Sequence, residues 1–561
     1  MDAYLQARWD ATTLRTVECR FYQSKAASAL KRMQLTASGI ELFHAVVTSA
    51  DARGKSADVI PWPDILGAAV LTPEKQAAHV PGYRGKAMPK TDFVVFGCIP
   101  KANAIKNPLI ASGLQVLSCF TGTGANDDVP DVNDKKRKRS SAPVGGKCDR
   151  IMVQWVFRYN VEEDADTFVP HVVHMIQRLA DPRTAQCTEP EQEDERTRRK
   201  YLVLVNPVGG TGNARQAYYS IATPILEQSD IDCEVIVTKY QHHATEIAAE
   251  MPLNTYDCVV AVGGDGLLSE VLQGMMKRLD WNEAIKQPLG ILPGGSGNGI
   301  SATLLYRSGE SFDLVNAAYA LAKGTSQELD IASVVNGKDA VMYSFLSLEW
   351  AFMADVDIDS ERYRMFGGMR FTMSAIARLL SKHKNYTGKV RYLSSEHDDE
   401  PPPKYHDRAT LTDEIDAARP SLDVLNKSKA NREVVDQVNG DEETQLETQD
   451  TKKRLASQGE WKELSGPFHM FWGVNVSHTG AQGHLAPNAR IDDGYYYLLV
   501  VEGAYSRLNM TRMLFGLEDG THVGKKQVQL IRTRAFTLHV DNPADRLCVD
   551  GELFDGPEVK L

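Results

Sequence analysis

The sequence of 561 residues contains no apolar run that approaches the roughly 20 residues needed to span a bilayer. Its first residues lack the basic-then-apolar order of a secretory signal. The eight cysteines show no paired or CxxC spacing, so neither a disulfide framework nor a zinc site is indicated. The net charge of −11 excludes wholesale adhesion to nucleic acid or to anionic membranes. We therefore expect a cytoplasmic protein with reduced thiols, no nucleic-acid partner and only reversible, peripheral membrane association.

The sequence does contain three regions of different pattern, and the first spans residues 1–198. Strand-like apolar segments in this region precede a helical pattern at Ala165–Leu179. The strand-like segments are Ile40–Val47, Phe93–Cys98 and Arg150–Phe157. Strands followed by one closing helix predict a β-rich regulatory module of the pleckstrin-homology type.

A polar stretch, Gly122–Lys147, lies between the strands of this module and contains the basic run Lys135–Arg139. One interpretation of the run is a solvated loop. Nuclear targeting and contact with anionic lipid are the two others, because clustered lysines and arginines serve both purposes.

The second region, residues 199–329, alternates continuous apolar strands with amphipathic helical patterns. This alternation predicts a parallel sheet that is covered on both faces, as in an α/β nucleotide-binding domain of the phosphofructokinase or NAD-kinase type. The predicted strands are Tyr201–Val205, Cys233–Thr238, Cys258–Val262 and Pro288–Leu292. The predicted helices are Asn213–Leu226 and the segment after Gly266.

The third region, residues 330–561, is mostly β and predicts a β-sandwich domain. Its predicted strands are Val341–Leu348, Phe468–Asn475, Tyr495–Val501 and Ala535–Val540. A polar, charge-dense insert at residues 394–465 interrupts the domain and has almost no aromatic side chains. Because it offers too little apolar surface to offset the entropy cost of ordering, we expect a disordered loop.

Three glycine turns follow three of the predicted parallel strands, at Asn206–Gly212, Gly263–Gly266 and Pro293–Gly299. Ligands of such sheets bind beyond the carboxyl ends of the strands, and glycine turns there bring backbone N–H groups close to a polyphosphate. The middle turn contains Asp265 and precedes a predicted helix whose N-terminus favours negative charge. This combination predicts a kinase. Each turn taken singly is also compatible with a tight αβ connection.

Two further segments complete the pattern. Ala354–Phe371 mixes acids and arginines beside apolar residues, and Val549–Glu552 contains an Asp-Gly pair. Taken alone, the first segment is also compatible with an exposed strand-to-helix corner, and the second with a hairpin turn. With the glycine turns and Leu346–Arg364, they resemble the diacylglycerol-kinase-like lipid kinases and, within them, the sphingosine kinases. The resemblance covers roughly Tyr201 to Glu552 without the insert.

The resemblance implies roles at matching positions. Asp265 is expected to act as the catalytic base on a primary hydroxyl, and Asp357 to hold the amino and hydroxyl head group. The turn Gly263, Gly264, Asp265, Gly266 is expected to contact the lipid. Nucleotide contacts are expected from Asn206, Pro207, Val208, Thr238, Lys239, Tyr240, Gln241, His242, Glu270, Gly295, Ser296, Gly297, Arg364, Arg370, Asp550, Gly551 and Glu552.

The expected activity is ATP-dependent phosphorylation of the primary hydroxyl of a sphingoid base. ATP and Mg²⁺ are the expected cofactors, with Asp550 as a helper for the metal, because phosphoryl transfer depends on positioning and charge neutralisation. The alternatives are a ceramide or diacylglycerol kinase, an NAD kinase, and a lipid-binding scaffold without activity. Asp357 distinguishes a sphingoid-base kinase from a ceramide or diacylglycerol kinase, because the ammonium of a sphingoid base benefits from a buried carboxylate and a neutral lipid does not.

Overall fold

The computed structural model describes most of the chain. The described residues are 17–21, 30–36, 38–44, 58–71, 92–106, 148–159, 165–183, 198–210, 212–336, 341–381, 384, 386–395, 461–503 and 505–561. The polar stretch with the basic run Lys135–Arg139 lies outside them, as does most of the predicted insert. Those two predictions therefore stay predictions.

The N-terminal region forms an antiparallel sheet of seven strands in the order β4-β3-β2-β1-β7-β6-β5. The strands are β1 Val17–Phe21, β2 Leu30–Leu35, β3 Gly39–His44, β4 Asp58–Pro61, β5 Ile65–Val70, β6 Asp92–Pro100 and β7 Arg150–Tyr159. The helices are a 3₁₀ turn at Trp62–Asp64, α1 at Lys101–Lys106 and α2 at Ala165–Ala180. One face of α2 packs onto the sheet through Val169, Val172 and Ile176. The β-rich module is confirmed, while the pleckstrin-homology type stays a prediction.

The second region forms a parallel sheet of four strands in the order β11-β10-β8-β9. The strands are β8 Arg199–Val205, β9 Ile231–Val237, β10 Cys258–Gly263 and β11 Leu289–Pro293. Every residue of β10 is buried, as expected for a strand covered by helices on both faces. All four strands overlap the predicted ones, with ends that differ by one or two residues.

Helices connect the strands of this sheet. They are α3 Ala214–Ala217, α4 Thr223–Gln228, α5 His243–Glu250, α6 Asp265–Met276, α7 Trp281–Ala284, α8 Gly299–Ser308 and α9 Leu314–Lys323. A π-helical turn, Tyr218–Ala222, joins α3 to α4, so the single predicted helix is built from three segments. The ring of Tyr218 in this turn is fully buried against the sheet.

The C-terminal region is built around a sheet of eleven strands. Its strands are β12 Ala332–Asn336, β13 Val341–Ser344, β14 Ser347–Ala351, β15 Tyr386–Leu393, β16 Trp461–Val474, β19 Tyr496–Glu502, β20 Val528–Thr533, β21 Phe536–Val540, β22 Leu547–Val549, β23 Glu552–Phe554 and β24 Glu558–Lys560. A small ribbon pairs β17 His478–Gly480 with β18 Gly483–His484. The helices are α10 Phe352–Ser360, a 3₁₀ segment Glu361–Phe366, α11 Met369–Leu380 and α12 Arg507–Gly516.

Two boundaries predicted for this region are wrong. The segment 341–348 forms two strands, because the chain turns between Ser344 and Ser347. The residues Trp461–Ser465 belong to β16 rather than to the insert, since they pair with β15 from Leu393 to Lys389. Alternating exposure along this part of β16 explains why its composition is polar.

The N-terminal sheet packs directly against the helices of the parallel sheet. Arg150 donates to Asp64 within its own module and to Glu310 of the second region, at 3.1 and 2.9 Å. Its guanidinium also stacks 3.6 Å from the ring centroid of Tyr319. All three charged side chains are almost fully buried, so removing one would leave an unpaired buried charge. The module is therefore anchored to the second region rather than loosely tethered.

No helix in the described part of the chain is long and apolar enough to cross a membrane.

Candidate active site

The three glycine turns meet at one edge of the parallel sheet. They follow β8, β10 and β11, which are adjacent and parallel, so their carboxyl ends lie together. Gly294 N donates to Gly263 O at 2.9 Å, and Asn206 N donates to Val262 O at 3.0 Å. A Cβ placed on Gly210 would lie 2.6 Å from Gly294 O, which only glycine avoids. The predicted meeting of the turns is therefore observed in the backbone.

The first turn is shaped by Asn206, whose side-chain Oδ1 accepts from Val208 N at 3.0 Å. Such a bond is typical of a side chain that closes a turn by itself. Gly210 and Gly212 follow with φ values of 57° and 79°. Pro207 and Val208 lie on the open side of the turn, and Val208 is 70% exposed.

Asp265 lies at the junction of the second and third turns. It begins α6, is buried, and accepts hydrogen bonds from Gly299 N at 2.7 Å and Ile300 N at 3.1 Å. These amides are the first of α8, whose N-terminus favours an acceptor of this charge. Burial raises the pKa of Asp265, and the backbone N–H groups oppose that rise. A single carboxylate thus holds two turns together and lies at the edge where ligands bind.

The third turn is held in place by Asn298, which the sequence analysis did not single out. Asn298 adopts a left-handed conformation, with a φ of 66°. Its side chain accepts from Gly295 N at 3.1 Å and donates to Gly295 O at 2.8 Å. Asparagine is one of the few residues that tolerate this conformation, which is the signal that could have identified it.

A second group of charges lies across from the turns, in the C-terminal region. Arg370 Nη2 lies 3.9 Å from Asp357 Oδ1, and its Nη1 forms an ion pair with Glu361. A Cβ on Gly551 would lie 3.9 Å from Asp357 Oδ2. Burial raises the pKa of Asp357 to about 6, opposed by Arg370 and reinforced by the carboxylates of Glu361 and Glu552. The carboxyl group of Asp357 therefore loses its charge as the pH falls through about 6.

The two groups lie next to each other. A Cβ on Gly368 would lie 3.6 Å from Ser296 O, which brings the segment before α11 against the third turn, Gly295–Gly297. Glu552 is electrostatically coupled to His242 and Glu270 of the second region and to Glu361 of the third. The glycine turns, the Asp357 group and Glu552 therefore surround one site, which we call the mouth.

The remaining predicted nucleotide contacts lie along the same edge. Thr238 follows β9, and its N–H donates to Val205 O at 2.9 Å. Lys239, Tyr240, Gln241 and His242 form an exposed connection to α5. Glu270 Oε2 accepts from Ala244 N at 3.2 Å, so this acid caps the start of α5 rather than only its own helix. Arg364 lies in the 3₁₀ segment at the mouth, but its side chain is outside the described part of the structure.

Asp550 does not fit the predicted role of metal ligand. It is buried and accepts hydrogen bonds of 2.7 to 3.1 Å from Ser344 Oγ and from the backbone N–H groups of residues 345–347. Burial raises its pKa to about 6, against the effect of these bonds. Both carboxylate oxygens are engaged, and the described residues contain no cluster of three or more acids, histidines or cysteines that could hold a metal. Asp550 instead fixes the turn between β13 and β14.

We predict that Gly295→Ala weakens ATP binding, because its Cβ would overlap the backbone of Gly264 in the neighbouring turn. Overpacking of this kind should raise the Kd for ATP at least about tenfold. The matched control is Gly368→Ala, whose Cβ would meet the same turn at an ordinary 3.6 Å and should leave the Kd unchanged. Calorimetric titration with a non-hydrolysable ATP analogue measures the Kd of both variants. Equal affinities of the two variants would contradict the idea that the glycine turns together form a cradle for the triphosphate.

Two family models match the second and third regions of the chain. Residues 200–334 match the family model of the diacylglycerol kinase catalytic domain, and residues 444–558 match that of the YegS C-terminal NAD kinase beta sandwich-like domain. Among solved structures, a diacylglycerol kinase from Bacillus anthracis str. Sterne is similar with a TM-score of 0.42 and 16% identity, covering 65% of this chain and 94% of its own.

Curated relatives are more similar in sequence. Sphingosine kinase 1 of Arabidopsis thaliana is 31% identical over 358 residues, which cover 63% of this chain and 68% of the relative. Sphingosine kinase 1 of Homo sapiens is 30% identical over 369 residues, which cover 64% of this chain and 88% of the relative. Sphingoid long chain base kinase 4 of Schizosaccharomyces pombe is 26% identical, covering 64% of this chain and 71% of the relative. The chain belongs to the sphingosine kinase family.

Proposed function

We propose that the protein transfers the terminal phosphoryl group of ATP to the primary hydroxyl of a sphingoid base. The observation that carries this proposal is the position of Asp265, a buried carboxylate at the junction of the glycine turns. Asp357, which we assign to the head group, lies in α10, and the same helix also packs into an apolar cluster through Phe352 and Met353. We therefore assign the polyphosphate to the side of the turns and the amphipathic amine to the side of α10.

ATP would lie along the edge of the parallel sheet. Backbone N–H groups of the first and third turns that are not bonded within the turns, such as those of Ser296 and Gly297, can donate to its phosphate oxygens, and Arg370 offers a fixed fork for the transferred group. Magnesium, which the resemblance implies, would be held chiefly by the phosphates of the nucleotide and would neutralise part of their charge. The chain itself would contribute positioning and positive charge, which dominate phosphoryl transfer.

Asp265 would orient the lipid hydroxyl and accept its proton. The two backbone N–H groups at the start of α8 fix the orientation of the carboxylate. Burial makes its pKa higher than that of a solvated aspartate, which suits a proton acceptor at neutral pH. The proton moves late, as the oxygen of the hydroxyl bonds to phosphorus.

Asp357 would bind the ammonium of the base. Its partner Arg370 lies at 3.9 Å, longer than a direct hydrogen bond, and the adjacent acids Glu361 and Glu552 keep the local charge negative. A cation is favoured in such surroundings. The N-acylated amine of a ceramide and the esters of a diacylglycerol carry no charge there, so these lipids are the weaker candidates.

The hydrocarbon tail would enter an apolar cluster between the sheet and helices α10 and α12. We call this the tail-side cluster; it includes Phe352, Met353, Met470, Leu499, Met510 and Met513. Of the neighbouring segment Leu346–Phe352, only part faces this cluster. Leu348 and Trp350 pack into the other core of the domain, because successive residues of a strand point to opposite faces.

Peripheral contact with a membrane is part of the same proposal. Met365, Met369, Ile376 and Leu380 lie on or beside α11, and each side chain is more than half exposed. Apolar side chains grouped on one helix beside the mouth can enter the surface of a bilayer, where the lipid substrate resides. The contact would be local, since the chain as a whole carries a charge of −11.

The division into domains at residues 198/199 and 329/330 also remains our proposal. Each proposed unit coincides with one main sheet: strands β1–β7, β8–β11 and β12–β24. A regulatory role of the first unit is consistent with its buried contact to α9 through Arg150 and Tyr319.

We expect the purified protein to phosphorylate sphingosine or sphinganine and not ceramide, diacylglycerol or NAD. Incubation with radiolabelled ATP and each acceptor, followed by chromatography of the products, measures this directly. Label on ceramide or diacylglycerol at a rate similar to that on the free base would contradict recognition of an ammonium. A protein that binds the base but labels no acceptor would be a scaffold.

Asp265→Asn should lower kcat at least about 100-fold, because general-base assistance is removed. The Kd for ATP should stay close to the wild-type value, since the nucleotide is held by backbone groups. The matched control is Asp313→Asn, which also removes a charge from a helix start, at α9, outside the mouth. Lipid phosphorylation that persists in Asp265→Asn would exclude this residue as the base.

Asp357→Asn should raise the KM for the base about 10- to 100-fold and leave the KM for ATP nearly unchanged. The ratio of kcat/KM for the base between wild type and Asp357→Asn should also depend on pH. Because the pKa of Asp357 is raised to about 6, its charge is present above that pH and is lost as the pH falls through it. Profiles of kcat/KM from about pH 5 to about pH 8 should therefore converge on the acid side. A ratio of the two enzymes that is constant with pH would argue against the ammonium contact.

A further inference from the structure

Glu349 lies at the centre of a row of side chains that crosses three strands. It is directly opposite Cys548 on β22 and directly opposite Trp472 on β16. Trp472 is in turn opposite Leu499 on β19. Trp472 and Leu499 belong to the tail-side cluster, so the row places a carboxyl group at the border of an apolar surface.

The carboxyl group of Glu349 is incompletely satisfied. The residue is 6% exposed, and Oε1 lies 3.4 Å from Ser347 Oγ. Within the described part of the chain, Oε2 and the buried Nε1 of Trp472 have no hydrogen-bond partner of good geometry. The two groups are neighbours, because the N–H of Trp472 opposes the rise in the pKa of Glu349. Burying polar atoms without a good hydrogen-bond partner costs stability, so the stability of the fold does not explain why a glutamate occupies position 349.

Glu349 also lies close to the proposed head-group site. Strand β14, which carries it, runs without a break into α10, which carries Asp357. Burial raises the pKa of Glu349 well above its usual range, and the nearby carboxylate of Asp357 adds to the rise. The thiol of Cys548 is coupled to both acids, which shows that the three side chains share one neighbourhood. A neutral carboxyl there can donate as well as accept a hydrogen bond.

We propose that Glu349 is a specificity residue that binds an additional hydroxyl of the long-chain base, on the carbon next to the amino-alcohol head group. This inference rests on the proposed function, and it names the substrate class as bases that carry a hydroxyl at carbon four. A hydroxyl both donates and accepts, so it can bridge the carboxyl group of Glu349 and the N–H of Trp472, which do not satisfy each other with good geometry. The position fits, because Glu349 lies near Asp357 and borders the tail-side cluster.

Recognition of a hydroxyl is favoured over a second contact to the ammonium. An ammonium binds most strongly to a charged carboxylate. Of Asp357 and Glu349, Asp357 is the acid whose pKa of about 6 leaves it charged at neutral pH. A buried group that lacks its hydrogen-bond partner also discriminates strongly against an analogue without the hydroxyl, because the group then stays unpaired.

The test compares 4-hydroxysphinganine with sphinganine, which differ by one hydroxyl, in wild type, Glu349→Gln and Glu349→Leu. We expect a kcat/KM ratio of at least about tenfold in favour of the hydroxylated base in wild type. The ratio should fall to near one in Glu349→Leu and lie between these values in Glu349→Gln. The matched control is Glu463→Leu, which removes an exposed glutamate that lies near Arg391 and should keep the wild-type ratio.

A thermal melt of Glu349→Leu separates a binding role from a structural one. Because the variant removes an unpaired buried group, its Tm should equal or exceed that of wild type. A lower Tm with an unchanged ratio would overturn the proposal, and so would an equal loss of kcat/KM for both bases, which would mean that Glu349 serves the ammonium. If wild type phosphorylates bases without preference, only this inference fails. If wild type phosphorylates no base, the proposed function fails with it.

Discussion

The pair of hydrogen bonds from the start of α8 to Asp265 is the interaction on which the site depends. It joins the turn after β10 to the turn after β11, and it orients the carboxylate to which we assign the role of base. Without it, the start of α8 would lose an acceptor for two backbone N–H groups, and Asp265 would be free to rotate. The position of the third turn and the orientation of Asp265 therefore depend on the same few atoms.

A second constraint is the concentration of acids that the fold buries around the mouth. Asp265, Asp357, Asp550 and Glu349 all have raised pKa values, and burial is the largest cause for each. They are stabilised differently: Asp265 and Asp550 by backbone N–H groups, Asp357 by Arg370, and Glu349 only by weak contacts with Ser347 and Trp472. Asp265 and Asp550 organise turns, and Asp265 is also the proposed base. Asp357 and Glu349, whose partners are incomplete, are the acids to which we assign the head group and the additional hydroxyl.

Much of the fold and of the candidate site could be predicted from the sequence, because the signals that identify the turns and Asp265 are local. Glycine turns after apolar strands identify the sheet edge, and Asp265 stands inside one of them. The role of Asp550 could not be predicted, since its partners Ser344–Ser347 lie about two hundred residues earlier in the chain. Glu349 was missed for the same reason: in sequence it is one acid in an apolar strand, and only the pairing with Trp472 and Cys548 shows that it is buried and unsatisfied. The end of the insert was misplaced because β16 begins with a half-exposed, polar stretch.

The central claim is that three turns form one cradle for the triphosphate. Hydrogen–deuterium exchange with and without a non-hydrolysable ATP analogue tests it most directly. We predict that the backbone amides of Asn206–Gly212, Gly263–Gly266 and Pro293–Gly299 become protected together, at the same analogue concentration. Protection of a single turn, or of none of the three while the analogue is bound elsewhere, would contradict the account.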